Sequence, residues 1–160
     1  MDAVCRQLDV LAVEVLELMQ EQLRVKAQLS EAMKDGCLNL AKARYISGNT
    51  SISTLQLPCG EQDVSAQAKV SLQDGQLQLV RTVPADIGQL DGGAEEVERA
   101  VDPLQWFGVL VPRNLRQAQS SFRGALEWAV DAANVQLRLH RCQDQYQQLL
   151  KVKLELASAQ

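Results

Sequence analysis

The sequence predicts an all-α protein: a long antiparallel coiled-coil helical hairpin with a central loop or small β-hairpin insertion. Three observations carry this expectation. Apolar residues repeat in steps of four and three near both ends of the chain. The middle changes character to glycine and short polar-apolar alternation. Aromatic residues make up only 4% of the 160 residues, which suits long helices better than a compact core built on large rings.

The N-terminal stripe runs through Val4, Leu8, Leu11, Val15, Leu18, Gln22, Val25, Leu29 and Ala32. That spacing places one narrow apolar seam on a helix, and such a seam requires a partner helix. Glu14, Glu17, Glu21, Arg24 and Lys26 fall off the seam, as solvated flanks do. Gly36 costs about 1 kcal/mol relative to Ala inside a helix. The sequence there suggests a phase shift onto Met33, Cys37, Leu40 and Ala41, within a helix that continues but is weakened, with a clean break at Gly36 as the alternative. Ser47-Gly48-Asn49 then ends it, because Gly and Asn tolerate the left-handed conformation at a helix C-terminus.

The C-terminal stripe is Ala118, Ser121, Ala125, Trp128, Ala132, Val135, Leu139, Cys142, Tyr146, Leu149, Lys153 and Leu156. Small residues in its first half admit a close partner, and larger ones later fill a wider seam. Phe122, Leu126 and Ala129 broaden the face near its start and predict a second neighbour there. The two helices are expected at 2–47 and 113–158, each about 69 Å long at 1.5 Å per residue. Matched lengths favour an antiparallel hairpin, which closes within one chain. A parallel homodimer of each seam is the competing packing.

Three regions follow: an N-terminal coiled-coil helix at 2–47, a variable segment with a β-hairpin at 49–101, and a Trp-Phe motif plus the C-terminal helix at 102–158. In the middle, Asp74-Gly75 is a favoured type I′ pair. A two-residue turn there sets Leu72 opposite Leu77 and Val70 opposite Leu79. Residues 51–57 read as a further strand. Residues 86–99, with Asp91-Gly92-Gly93 and Glu95-Glu96, read as a flexible acidic loop. Asp102-Pro103 starts a short helical turn by capping, and Val111-Pro112 ends it ahead of the long helix.

Charge and composition exclude several functions. A net charge of −4 argues against a phosphate-binding surface, and no nucleic-acid partner is expected. Asp2 and Arg6 interrupt any apolar run near residue 1, so no signal peptide is expected. The longest apolar run, Trp106 to Val111, is far short of the roughly 20 residues of a membrane span. Cys5, Cys37, Cys59 and Cys142 are too far apart for a zinc-type pair and read as free thiols. His140 is the only histidine, and no nucleophile-base constellation or phosphate-binding glycine pattern can be drawn around it. The sequence therefore points away from an enzyme and from any cofactor or metal, and toward protein binding.

Two segments stand out as candidate binding residues. Trp106, Phe107, Leu110 and Phe122 fall within 17 residues of a chain that holds six aromatics. They are either a plug that closes one end of the hairpin or an anchor for a partner, since buried aromatics dominate many interfaces. In Leu40-Ala41-Lys42-Ala43-Arg44-Tyr45, Tyr45 either packs under the Trp106 segment or joins Lys42 and Arg44 in meeting an acidic partner. The candidate set is Trp106, Phe107, Leu110, Lys42, Arg44 and Tyr45.

The same two segments carry a resemblance. Leu40 to Tyr45, Asp102-Pro103-Leu104-Gln105-Trp106-Phe107-Gly108-Val109-Leu110-Val111-Pro112, and Leu115-Arg116-Gln117-Ala118-Gln119-Ser120-Ser121-Phe122-Arg123 resemble the family of coiled-coil domain-containing protein 115. Its members are animal counterparts of a yeast assembly factor for the vacuolar proton-pumping ATPase. The resemblance covers roughly 1–50 and 102–150. It implies a chaperone that helps build the membrane sector at the cytosolic face of the endoplasmic reticulum and so supports endolysosomal acidification and lysosomal degradation. It implies transmembrane protein 199 and membrane-sector subunits as partners, so that membrane association is indirect. It also implies the endoplasmic reticulum–Golgi intermediate compartment, coat-protein-I vesicles, endosomes and lysosomes as locations. It supplies no catalytic residues. A prefoldin-like client chaperone, from the order helix, β-hairpin, helix, and a generic coiled-coil scaffold are the alternatives.

Overall fold

Each long apolar stripe becomes one unbroken helix. In the computed structural model, α1 spans Asp2–Ser47 and α2 spans Arg113–Ser158, 46 residues each. Between them lie a 3-10 turn at Thr54–Gln56, strands β1 (Ala68–Gln73) and β2 (Gln76–Arg81), and a second 3-10 turn at Pro103–Phe107. The structure describes residues 2–48, 50–58, 64, 66–81 and 102–158. The fold is thus mainly helical, with one small antiparallel sheet. The expected acidic loop at 86–99 and Cys59 lie outside the described residues.

The helices pack side by side with their residue order opposed. Ala43 meets Leu115 at one end of the pair, Gly36 meets Phe122, and Glu21 meets Arg138 further along. Leu18 clusters with Val135 and Cys142, and Leu11, Val15 and Leu139 pack against them. All nine residues of the first stripe are buried or half-buried, and so is every residue of the second except Leu156. Among the described seam residues Gln22 is the buried polar one, and its Oε1 has no hydrogen-bond partner.

Four local expectations are corrected. The phase shift at Gly36 does not occur: Gly36 itself is buried, while Met33, Cys37 and Ala41 are exposed and Leu40 is half-buried. Gly36 continues the four-three spacing from Ala32 because the missing side chain admits the Phe122 ring. Residues 51–57 form no strand. Ser53 Oγ accepts from the Leu55 N–H and starts a 3-10 turn, and Ile52 drops into the Ala43–Leu115 cluster. Tyr45 does not pack under the Trp106 segment; it is 90% exposed. Leu126 and Ala129 are also exposed; α2 does meet a second neighbour, the β-hairpin, but through Arg123, Glu127 and Asn134, while Phe122 packs against α1.

Turn chemistry matches the sequence more closely. Asp74 and Gly75 both take positive φ, 50° and 74°, as a type I′ turn requires. Leu72 pairs with Leu77 and Val70 with Leu79. Gly48, at φ 84°, follows the last turn of α1. Asp102 Oδ1 accepts from the Leu104 N–H at 3.1 Å, with Pro103 in the first position of the turn.

The hairpin lies against the outer side of α2. Asn134 Oδ1 accepts from the Leu77 N–H and its Nδ2 donates to the Leu77 carbonyl, both at 2.8 Å. Arg81 donates to the Arg123 carbonyl and to Glu127, and Arg141 donates to the Gly75 carbonyl. A two-stranded sheet is marginal alone. These contacts from α2 supply what a third strand would otherwise provide at β2.

Candidate protein-binding surface

The end of the pair where α1 stops and α2 starts is closed by a small core. Ala43 is fully buried against Ile52 and Leu115, and Leu40, Leu104, Phe107 and Val111 pack around them. Only a small residue fits at position 43, so α1, the Ile52 segment and α2 approach closely there. One helical residue step is 100°, so burying Ala43 turns Lys42 and Arg44 outward on either side, and Tyr45 with them.

The six candidate residues therefore divide. Phe107 is a packing residue of the closing core and Trp106 is half-buried beside it. Lys42, Arg44, Tyr45 and Leu110 face outward, with Leu110 93% exposed. Val109 is equally open and Ile46 is exposed as well, and neither is among the candidates. The signal for Val109 was available in the apolar run that contains it. For Ile46 there was none, because its exposure follows only from the placement of Ala43.

This surface is basic although the chain is acidic overall. Lys42, Arg44, Arg113 and Arg116 are exposed at or near it. The Asp102 carboxylate is occupied: besides the Leu104 N–H, its Oδ1 accepts from Gln119 Nε2 at 2.7 Å. Exposed apolar side chains beside exposed guanidinium and ammonium groups can hold an apolar, acidic polypeptide segment.

Among the described residues no group of His, Cys, Asp and Glu side chains could hold a metal ion. No helix of the described residues is long and apolar enough to cross a membrane. Cys142 is buried in the seam. Burial raises its thiol pKa, the hydrogen bond and charge of Glu14 raise it further, and Arg138 works the other way.

Comparison with known proteins places this arrangement. A sequence model of Vma22/CCDC115 matches residues 86–125, which span the Trp-Phe motif, Leu115 and Phe122. Vacuolar ATPase assembly protein VMA22 of Mus musculus is 34% identical, with 96% of this chain and 95% of the relative covered. The chain belongs to the Vma22/CCDC115 family. The protein of the same name from Homo sapiens is 33% identical, over 83% of each chain. That of Danio rerio is 29% identical, over 91% of this chain and 87% of its own. The Vma22/CCDC115 match starts at residue 86, so the likeness reaches into the middle segment, which the quoted motifs left aside.

Proposed function

We propose that this chain is an assembly factor for the vacuolar-type proton-pumping ATPase and acts by binding polypeptides rather than by catalysis. The observation that carries the reading is similarity along nearly the whole of both chains to proteins named for that role. The paired helices agree with it, since their exposed features are apolar and charged surfaces.

The finer reading is as follows. The two helices form an antiparallel coiled-coil hairpin whose closed end presents Leu110, Tyr45, Lys42 and Arg44 to a partner, with Trp106 and Phe107 holding that surface in shape. The partner is a membrane-spanning protein of the transmembrane protein 199 type, together with membrane-sector subunits of the pump. Work at the cytosolic face of the endoplasmic reticulum, the intermediate compartment and coat-protein-I vesicles, with later effects on endosomes and lysosomes, follows from that partnership. The basic rim suits acidic residues on the partner's membrane-proximal segment.

Depletion in cells tests the role. Raised lysosomal pH and loss of the assembled membrane sector are expected, both restored by the wild-type chain. Normal acidification after full depletion would remove the proposal. A hexamer by light scattering would favour the prefoldin-like alternative.

A further inference from the structure

At the end of the pair far from Tyr45 and Leu110, the two helices leave a groove on one side. Its first part is an open cavity of ≈ 650 Å³ with Val10 and Val13 exposed along it, 66% and 55%, and the buried Leu18 at its base. Val10 also lines a second cavity of ≈ 710 Å³, whose other wall is Leu149 and Val152 of α2. The two cavities meet at Val10 and together line α1 from Arg6 to Glu21, a stretch taken together as one channel. That is about 22 Å of helix at 1.5 Å per residue, the length of a four-turn helix laid alongside.

The charge of the channel selects its occupant. Asp9, Glu14, Glu17 and Glu21 line the first cavity, roughly one carboxylate per turn, with Arg138 as its cation, while the lining of the second cavity is apolar and amide with Arg6 as its one charge. Arg138 lies 3.6 Å from Glu21, and Arg6 Nε donates to the Asp2 carbonyl of its own helix. An apolar floor with carboxylates on the α1 side of its first cavity complements a helix that carries apolar residues at three-four spacing and Lys or Arg beside them at that end. An acidic segment would meet repulsion at the carboxylates of the first cavity.

We infer that this channel is a second docking surface, which takes a basic amphipathic helix from a partner protein. The inference rests on the reading of the chain as a protein-binding factor, but not on which partner the Tyr45–Leu110 end holds. The two ends then carry opposite signs: a basic apolar surface at the closed end and an acidic apolar channel at the other. One molecule can hold two polypeptides at once without competition between them.

The test uses the full chain and two synthetic helices of about four turns with the same Leu pattern, one flanked by Lys and one by Glu. Fluorescence anisotropy at low salt is expected to show the Lys helix binding at least tenfold more tightly than the Glu helix, and weakening as salt rises. Glu14→Gln with Glu17→Gln should abolish that preference. Val10→Ser with Val13→Ser should weaken the Lys helix about tenfold, and Leu110→Asp should leave it unchanged. Equal binding of both helices, or indifference to the Val10 and Val13 changes in a variant of unaltered helicity, would overturn the inference. So would a self-associated dimer that Val10→Ser dissociates, because the channel would then belong to a second copy. Failure here with intact rescue of acidification in cells removes the second surface alone. Failure of both removes the assembly reading as well.

Discussion

The Phe122 ring of α2 occupies the space that a side chain on Gly36 of α1 would need: a Cβ built there would stand 2.6 Å from Phe122 Cε1. The glycine that looks like a defect in a helix is the hole for an aromatic knob. Gly36→Ala should therefore destabilise the protein even though Ala is better by about 1 kcal/mol in a helix interior. Overpacking of this kind costs about 1–3 kcal/mol, so a lower melting temperature by circular dichroism is expected. In a Phe122→Leu background the same substitution should become neutral or stabilising. Simple additivity of the two changes would show that the ring and the glycine do not share that space.

Asn134 holds the hairpin by both atoms of its amide, at 2.8 Å to the N–H and 2.8 Å to the carbonyl of Leu77. Asn134→Ala removes both bonds and leaves the outer edge of β2 unpaired. Local stability of the hairpin should fall by about 1–3 kcal/mol. Hydrogen exchange at the Leu77 amide should accelerate, while the melting of α1 against α2 changes little. Asn134→Asp should be nearly as damaging, since a carboxylate can accept from the N–H but faces the Leu77 carbonyl with no donor.

The closed end should separate stability from binding. Leu115→Ala removes a buried side chain from the Ala43 cluster and should cost about 2–5 kcal/mol. Leu110→Asp and Tyr45→Ser alter exposed side chains and should move stability by no more than about 0.5 kcal/mol. Co-precipitation of membrane-sector subunits should nevertheless fall for these two. Unchanged capture would place partner binding elsewhere on the molecule.

Cys142 gives the protein an alkaline liability. Its folded-state pKa is raised, first by burial and then by Glu14, so the folded chain holds the thiol proton more tightly than the unfolded chain does. Stability from this group is complete below the usual thiol value of 9.0 and falls as pH rises beyond it toward the folded value. Urea midpoints should start to drop as pH rises past 9.0, and Cys142→Ala should flatten that slope. In the native state a thiol reagent should modify the exposed Cys37 quickly and reach Cys142 only on unfolding.

Much of this architecture was legible because its signals are local. Heptad spacing names Leu8, Leu18, Val25 and Val135 as seam residues wherever the partner helix comes from. Asp74-Gly75 fixes the hairpin register by backbone sterics alone, and Asp102-Pro103 fixes a helical start by capping. The binding surface was only half legible. Composition marked out Trp106, Phe107 and Tyr45 but could not tell a packed ring from an open one.

By itself the sequence determined two long helices, their seam faces and the turn between β1 and β2, since each depends on residues a few positions apart. Tertiary structure alone decided that Gly36 receives Phe122, that Ile52 rather than Tyr45 fills the closed end, and that β2 rests on Asn134. Those outcomes depend on which surfaces meet when α2 folds back on the earlier part of the chain, 57 residues away in the case of Leu77 and Asn134, and on whether a side chain finds volume there. Periodicity along one helix carries no record of either.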